Sequence, residues 1–514
     1  MKSLQIILSL FLIHSTSFSQ IQSLTSDADG SVTIIPQGIT SSKTDPSKTT
    51  SNVGLGYNTL FFNTTGSSNT AIGTSALYKN TSGIENSASG ASALYNNTEG
   101  NGNTANGTYA LNSNTTASFN TATGSYALYN NTTGINNTAN GALALYSNTT
   151  GGRNVAVGRA ALYYTTIGEG NSAIGASALY RNTEGSFNTA NGNQALYYNL
   201  TGDNNTANGS KALYFTTTGS GNTANGYQAL YRNTTASNNT ATGTDALYNT
   251  TTGSNNTAMG YQALYSNTTG SSNMASGGSA LYLNTSGQYN TADGSLALYA
   301  NTTGERNTAI GFAALLGNST GNNNTAIGNA AGVTSSNLSN TIAVGSGATV
   351  NASNKIRMGN ASITSAAIQV AWNVTSDRRW KEAIEPLPLG LKFINDLNPV
   401  SYHRKNNENQ DVEFGVVAQE LEETLKKYGF SEKQLGLLDK DQDGYYSVRY
   451  NDLIATLIKA VQEQQQVIDK QKETIVGHEL RFEQQETQMT VLASKLANIV
   501  TKLSANSISE KGTK

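Results

Sequence analysis

The chain has 514 residues, no cysteine, and 31 basic against 33 acidic side chains for a formal net charge of −2. These values exclude a disulfide framework and a thiolate metal site, and nothing in the charge balance suggests a nucleic-acid partner. The charges are unevenly placed, with 41 in residues 376–514 and only 15 in residues 51–345, so two physical regimes are joined in one chain.

The N-terminus reads as a secretory leader. Lys2 supplies the positive start, Leu4 to Ile13 is a short apolar run, and Ser17-Phe18-Ser19 places small residues at a cleavage position that would leave Gln20 first. The alternative, a membrane anchor, conflicts with the shortness of that run, and no other segment is apolar enough to span a bilayer. The expectation is an exported chain, secreted or held at a cell surface, with residues 1–19 removed and residues 20–50 acting as a linker.

From Gly56 to Gly345 a glycine recurs every 17 residues without a slip, inside the repeated words Asn-Thr-Ala-x-Gly-x-x-Ala-Leu-Tyr-x-Asn-Thr-Thr-Gly. A short fixed period is the mark of a solenoid. All five prolines (Pro36, Pro46, Pro386, Pro388, Pro399) lie outside residues 51–345, as expected where every backbone N–H pairs with a neighbouring coil. Seventeen residues are too few for a helical hairpin. Each unit offers two candidate strands, one around Thr-Ala-x-Gly and one around Ala-Leu-Tyr, with Asn-Thr-Thr-Gly as the turn. Parallel coils stacked about 4.8 Å apart would give a rod of roughly 85 Å.

The Leu77, Leu94, Leu128 row is expected inside and the adjacent Tyr78, Tyr95, Tyr129 row outside. An interior of Ala and Leu alone is thin, and a continuous Tyr stripe is a large exposed aromatic patch, so burial of the stripe between chains is expected. The alternative is a stripe that binds a surface glycan or a protein ligand. The Asn-x-Thr words at Asn63, Asn80 and Asn131 read as Asn and Thr ladders capping turns rather than as glycosylation acceptors. A flat pair of Thr rows, as on ice-binding solenoids, is not evident in the repeat.

The Asn-Thr-Ala-Ile-Gly words at 69–73, 307–311 and 324–328 resemble the head repeats of trimeric autotransporter adhesins and haemagglutinins, over about residues 51–360. That resemblance implies a trimer of parallel β-rolls. The 17-residue period is longer than that family's usual unit, and the C-terminal words do not read as that family's membrane-barrel anchor, so its mode of surface attachment is not expected here.

Residues 346–375 read as a transition, with Ile356, Met358, Ile363 and Ile368 as candidates for further strands. Ser376 and Lys381 follow, five residues apart in Ser-Asp-Arg-Arg-Trp-Lys. A serine hydroxyl is inert at neutral pH unless a base takes its proton. A lysine serves as that base only where desolvation or a neighbouring cation favours its neutral form, and Arg378 and Arg379 are the nearby cations. The spacing alone carries little information. Four segments in order carry more: 376–387 (SDRRWKEAIEPL), 394–405 (INDLNPVSYHRK), 414–421 (FGVVAQEL) and 444–460 (GYYSVRYNDLIATLIKA). Together they resemble the intramolecular chaperone domain of endosialidase tailspikes, the S74 peptidase family. The resemblance implies that residues 376–453 trimerise the β-fibre ahead of them and then cut their own chain once, without a cofactor. It implies Ser376 as nucleophile, Lys381 as general base and Thr375–Ser376 as the scissile bond.

Asp439-Lys440-Asp441-Gln442-Asp443-Gly444 opens like a calcium-binding EF-hand loop, but Tyr450 stands twelfth where that loop needs a bidentate Glu. A solvated turn is expected, with calcium on Asp439, Asp441 and Asp443 as the alternative. From Ile454 to Leu503 a heptad places Ile454, Val461, Ile468, Ile475, Phe482, Met489, Leu496 and Leu503 at one core position. Leu457, Gln464, Gln471, His478, Gln485, Leu492 and Ile499 occupy the other. This predicts a left-handed coiled coil whose polar layers, His478 included, fix register and strand number. Residues 504–514 are expected as a flexible tail.

The expected fold is therefore mainly β: a parallel β-roll or solenoid of 17-residue repeats over 51–345, a small α+β chaperone domain, and a trimeric coiled coil. The expected function is an exported homotrimeric fibre, adhesive or structural, that cleaves itself before Ser376. The rivals are a phage-type tail fibre, against which the leader argues, and a fibre whose C-terminal domain trimerises but never cuts.

Overall fold

The computed structural model describes residues 52–363, 365–367, 369, 374–405, 411–431, 436–440 and 444–509, with a short antiparallel pair, Thr25–Ser26 and Val32–Thr33. The expected leader, Ile368, Asp441, Asp443 and the last five residues of the expected tail lie outside the described residues. The chain divides into two compact units, one ending at Asn360 and one beginning at Ala361.

The first unit is the expected solenoid. Nineteen three-residue strands follow one another in a parallel ladder from Val53–Leu55 to Ile356–Met358. Each step is one repeat, so Ala173 pairs with Ala156 on one side and Ala190 on the other. Only the final step shortens, from Ile342 to Ile356, and Ile356 and Met358 form the further strand expected of them. The strands pair only between successive coils, and among the described residues the first strand does not pair with the last. In every strand but the first and the last the central residue is a buried Ala and its two neighbours face outward.

The periodic glycines from Gly56 to Gly345, each following a strand, have φ between +113° and +147°. At Gly192 an added Cβ would also stand 2.6 Å from the backbone of Gly209 in the next coil. Conformation and close approach both exclude a side chain there, which accounts for the unbroken glycine period.

The second expected strand, around Ala-Leu-Tyr, is a turn instead. Leu77 and its counterparts from Leu60 to Leu315 are left-handed, with φ of 50° to 54°. That conformation costs a non-glycine residue about 1–2 kcal/mol. Full burial of the leucine side chain returns about 1.5–3 kcal/mol, and the Leu77 N–H donates to Ala93 O in the next coil at 3.0 Å.

The interior is also not the thin Ala and Leu filling expected. Two columns of asparagine run through it, buried in nearly every coil. In one, the Asn86 N–H donates to Asn69 Oδ1 at 2.9 Å, while Asn86 Nδ2 donates to Gly100 O at 2.8 Å. In the other, Asn97 Nδ2 donates to Asn80 Oδ1 at 2.8 Å and to Gly100 O at 3.0 Å. The asparagines thus form the expected ladders capping turns, as Asn80 Nδ2 does on Gly83 O at 3.0 Å, and they lie inside the coil. They complete the interior within one chain, so a thin core does not itself demand partner chains. They also remove Asn80 and Asn131 from solvent, closing both sequons in the folded rod. The threonine ladder lies outside, with Thr81 Oγ1 donating to Thr98 O at 2.9 Å. The Tyr row faces outward as expected. From Tyr129 to Tyr299 eleven rings stack at 4.9–5.3 Å, each half-buried by its neighbours. Burial, and then the neighbouring phenols, push up the hydroxyl pKa of Tyr163 and Tyr180.

The second unit holds helices α1 (Leu391–Asp396), α2 (Ala418–Lys427) and α3 (Leu453–Ser509). Two antiparallel pairs accompany them, Pro399–Tyr402 with Glu413–Val416 and Leu438–Lys440 with Tyr446–Val448. Leu389, Phe393, Leu421, Leu425, Leu437, Leu438 and Leu453 form the core. The 57-residue α3 is about 86 Å long at 1.5 Å per residue, and it continues through Ser509 into the stretch expected as tail. Only its first turns are covered, by way of Leu453, Thr456 and Ala460. Further along, the heptad residues are bare, with Phe482 69 % and Leu496 64 % exposed. Among the described residues no helix is long and apolar enough to cross a membrane.

The second asparagine column is interrupted at Thr165, Thr216 and Thr250. One coil earlier, the Oδ1 atoms of Asn148, Asn199 and Asn233 are buried without a hydrogen-bond partner. A buried acceptor left unpaired costs about 1–3 kcal/mol. Thr165→Asn, Thr216→Asn and Thr250→Asn should therefore each stabilise the rod by about 1 kcal/mol, raising its urea-unfolding midpoint, and Asn114→Thr should lower it by a similar amount. An unchanged midpoint in all four variants would contradict this account of the column.

Candidate functional site

The site begins with a single 3₁₀ turn, Arg378–Trp380. Asp377 caps it, its carboxylate accepting from the Arg379 N–H at 2.9 Å. The Arg379 guanidinium also pairs with Asp377, Nη2 to Oδ2 at 2.6 Å, and these bonds hold the Asp377 carboxyl below the usual carboxylate range. The Lys381 N–H closes the turn on Arg378 O at 3.1 Å. The capped turn brings the residues on either side of it within reach of each other. Lys381 Nζ lies 2.6 Å from Ser376 Oγ and donates to it. The two residues separated by five positions in sequence are thus in direct contact. Arg379, one of the two cations expected to act on Lys381, is committed to Asp377 instead.

Ser376 and Lys381 both face solvent in the single chain. Beside them Trp380 is 81 % exposed, and Ile384 is also exposed. Large apolar side chains in water around a polar pair are unusual for a finished site.

Downstream, the chain is clamped to α3. Lys459 Nζ donates to Leu387 O, and Glu463 Oε2 accepts from the Leu391 N–H at 2.7 Å. Glu463 thereby caps α1, whose own N-cap residue, Gly390, has no side chain to do so. A side chain at 390 would collide with the Glu463 carboxylate. Lys459 and Glu463 are not among the residues that the sequence singles out. The available signal was a short helix preceded by glycine rather than by Ser, Thr, Asp or Asn. A second tie joins the sheet to the 3₁₀ turn Tyr450–Asp452 that precedes α3, the Val416 N–H donating to Tyr450 Oη at 3.0 Å. Asp439, the one described member of the alternative calcium set, lies in the strand Leu438–Lys440.

Residues 376–430 match the family described as chaperone of endosialidase, Peptidase S74. The match starts at Ser376 and takes in the 3₁₀ turn, α1, the first strand pair and α2. No curated protein matches the chain.

If Glu463 is the cap of α1, Glu463→Ala leaves the Leu391 N–H unpaired and should destabilise this unit by about 1–3 kcal/mol. Limited proteolysis within 376–430 should accelerate in Glu463→Ala and stay near the wild-type rate in Glu463→Gln, which keeps an acceptor. Equal rates in wild type and Glu463→Ala would remove the cap from the account.

Proposed function

We propose that the chain is an exported homotrimeric fibre whose C-terminal unit brings three chains into register and then cuts each one between Thr375 and Ser376. The observation that carries this reading is the 2.6 Å contact between Lys381 Nζ and Ser376 Oγ at the first residue of the family match.

In the proposed reaction, Ser376 Oγ attacks the Thr375 carbonyl carbon and its proton passes to neutral Lys381. The C–N bond breaks as the Ser376 nitrogen takes that proton, leaving Thr375 esterified to Ser376 Oγ. Water then hydrolyses the ester, giving a shaft that ends in the Thr375 carboxylate and a fragment that begins with the free amine of Ser376. A lysine accepts a proton in this way only where water is kept from it. The exposed Trp380 and Ile384 are suited to provide that cover once neighbouring chains pack against them, so cutting follows assembly. Removal of the trimerising unit then makes the shaft kinetically trapped.

The bare seam of α3 supports the trimer. A 57-residue helix with Ile475, Phe482, Met489 and Leu496 in water is stable when other helices cover those residues. Gln464, Gln471, His478 and Gln485 would form the polar layers that fix register. The rod would serve adhesion or structure at a cell surface, reached through the leader at 1–19. The exposure of Ser376 and Lys381 favours one rival, a trimeric fibre that never cuts.

Expressed intact, the protein should yield a small fragment whose N-terminal sequence starts Ser376-Asp377, and sedimentation should report three shafts together. Ser376→Ala and Lys381→Ala should each give a full-length, uncut trimer. Cutting at another bond, or continued cutting in Ser376→Ala, would contradict the dyad. A wild-type trimer that stays whole would establish the rival.

A further inference from the structure

Beside the tyrosine column, one outward residue per coil precedes the second buried asparagine column. In most coils this residue is small or polar, as at Asn96, Asn130, Ser147, Asn249 and Ser266. Across five consecutive coils it is instead Tyr164, Arg181, Tyr198, Phe215 and Arg232. Tyr198 and Phe215 stack at 5.4 Å and 9°. Each stands nearly perpendicular to the main column, Tyr198 against Tyr214 at 80° and Phe215 against Tyr231 at 81°. The result is a shelf two rings wide. Its ends are cationic: the Arg181 guanidinium lies over Tyr198 at 5.2 Å and that of Arg232 over Tyr248 at 6.0 Å. The two arginines are three coils, about 14 Å, apart along the rod.

An open groove of about 520 Å³ runs along the shelf, lined by Tyr198, Phe215, Arg232, Thr217, Thr234 and Thr251. The threonine hydroxyls there donate to carbonyls of the next coil, as Thr217 Oγ1 does to Thr234 O at 3.0 Å, so toward the groove they present acceptors. We propose that this shelf binds a carboxylated polysaccharide lying along the rod. Ring faces and the apolar groove suit the C–H faces of pyranose rings. The threonine oxygens accept from sugar hydroxyls. The planar fork of each arginine fits a uronate carboxylate.

A second copy of the chain fits less well. Parallel rods in register repeat their contact in every coil, whereas this shelf spans five coils and the position is otherwise aromatic or cationic only at Phe62 and Lys79. Copies related by a rotation axis would also bring Arg181 level with Arg181 and Arg232 level with Arg232, with like charges opposed. The inference rests on the adhesive reading of the rod and is independent of self-cleavage.

The test is calorimetric titration of the purified full-length protein with polygalacturonate, with dextran as the neutral control. Two double variants, Arg181→Asn with Arg232→Asn and Tyr198→Asn with Phe215→Asn, install a residue that this position already carries in other coils, so the rod should fold. Each should weaken polygalacturonate binding at least tenfold, added salt should weaken it in the wild type, and dextran should not bind. Wild-type affinity in both variants, equal binding of dextran, or no binding of polygalacturonate would overturn the proposal. So would loss of the wild-type oligomer in the variants by sedimentation, which would make the shelf a contact between chains. A wild-type protein that binds polygalacturonate but sediments as a monomer would support the shelf while contradicting the trimer.

Discussion

The rod depends on pairing its buried amides with the asparagines one coil away and with the turn carbonyls between them. A primary amide in an apolar interior is costly unless both its oxygen and its nitrogen are satisfied. Here the partners are the asparagines of the neighbouring coils and a turn carbonyl, as Asn97 Nδ2 finds in Asn80 Oδ1 of the preceding coil and in Gly100 O. The asparagines therefore fix the coil spacing and the coil length together. Insertion or deletion of one residue in any turn would bring an asparagine opposite something that cannot pair with it. The glycine after each strand and the left-handed leucine follow from the same constraint, since both let 17 residues close a turn without shifting the asparagine columns.

That constraint is also a source of ambiguity. Coil contacts are only 17 residues apart in sequence, so local coil formation is not the slow step. Near-identical repeats can nucleate anywhere and pair with the wrong neighbour at little energetic loss. A chain of this kind benefits from one distinctive element that sets the starting register. The C-terminal unit has that character. It holds nearly two-thirds of the charge, a core of its own around Phe393, and a helix whose apolar seam is left bare. The proposed self-cleavage removes that element once it is no longer needed, by means of a serine and a lysine that a capped 3₁₀ turn places in contact.

Much of the rod was legible in the sequence, because a strict glycine period has few physical explanations. The Ala-Leu-Tyr words were read wrongly because leucine next to tyrosine suggests a strand, while a positive φ at leucine is allowed here only by burial and by hydrogen bonds to the next coil. Asn-Thr-Thr-Gly reads as asparagine ladders capping turns, which Asn80 on Gly83 O bears out, but that turn chemistry reads the same at a surface as inside a coil. What separates the two readings is a partner that exists only after stacking. At the site, the residue types and their order were visible through the family resemblance. The contact itself was not, since it depends on the Asp377 cap and on the turn it stabilises. The clamp of Lys459 and Glu463 on residues 387–391 joins positions 72 apart in sequence and left no local trace.

The central claim is that the C-terminal helix sets the register for the rod rather than adding to its finished stability. The most direct measurement compares the intact chain with one lacking residues 454–503, each diluted from denaturant and followed by circular dichroism and sedimentation. The account predicts that the intact chain recovers a soluble β-rod and that the shortened chain gives aggregated or disordered protein. Recovery of a normal soluble assembly by the shortened chain, at the same yield, would contradict it.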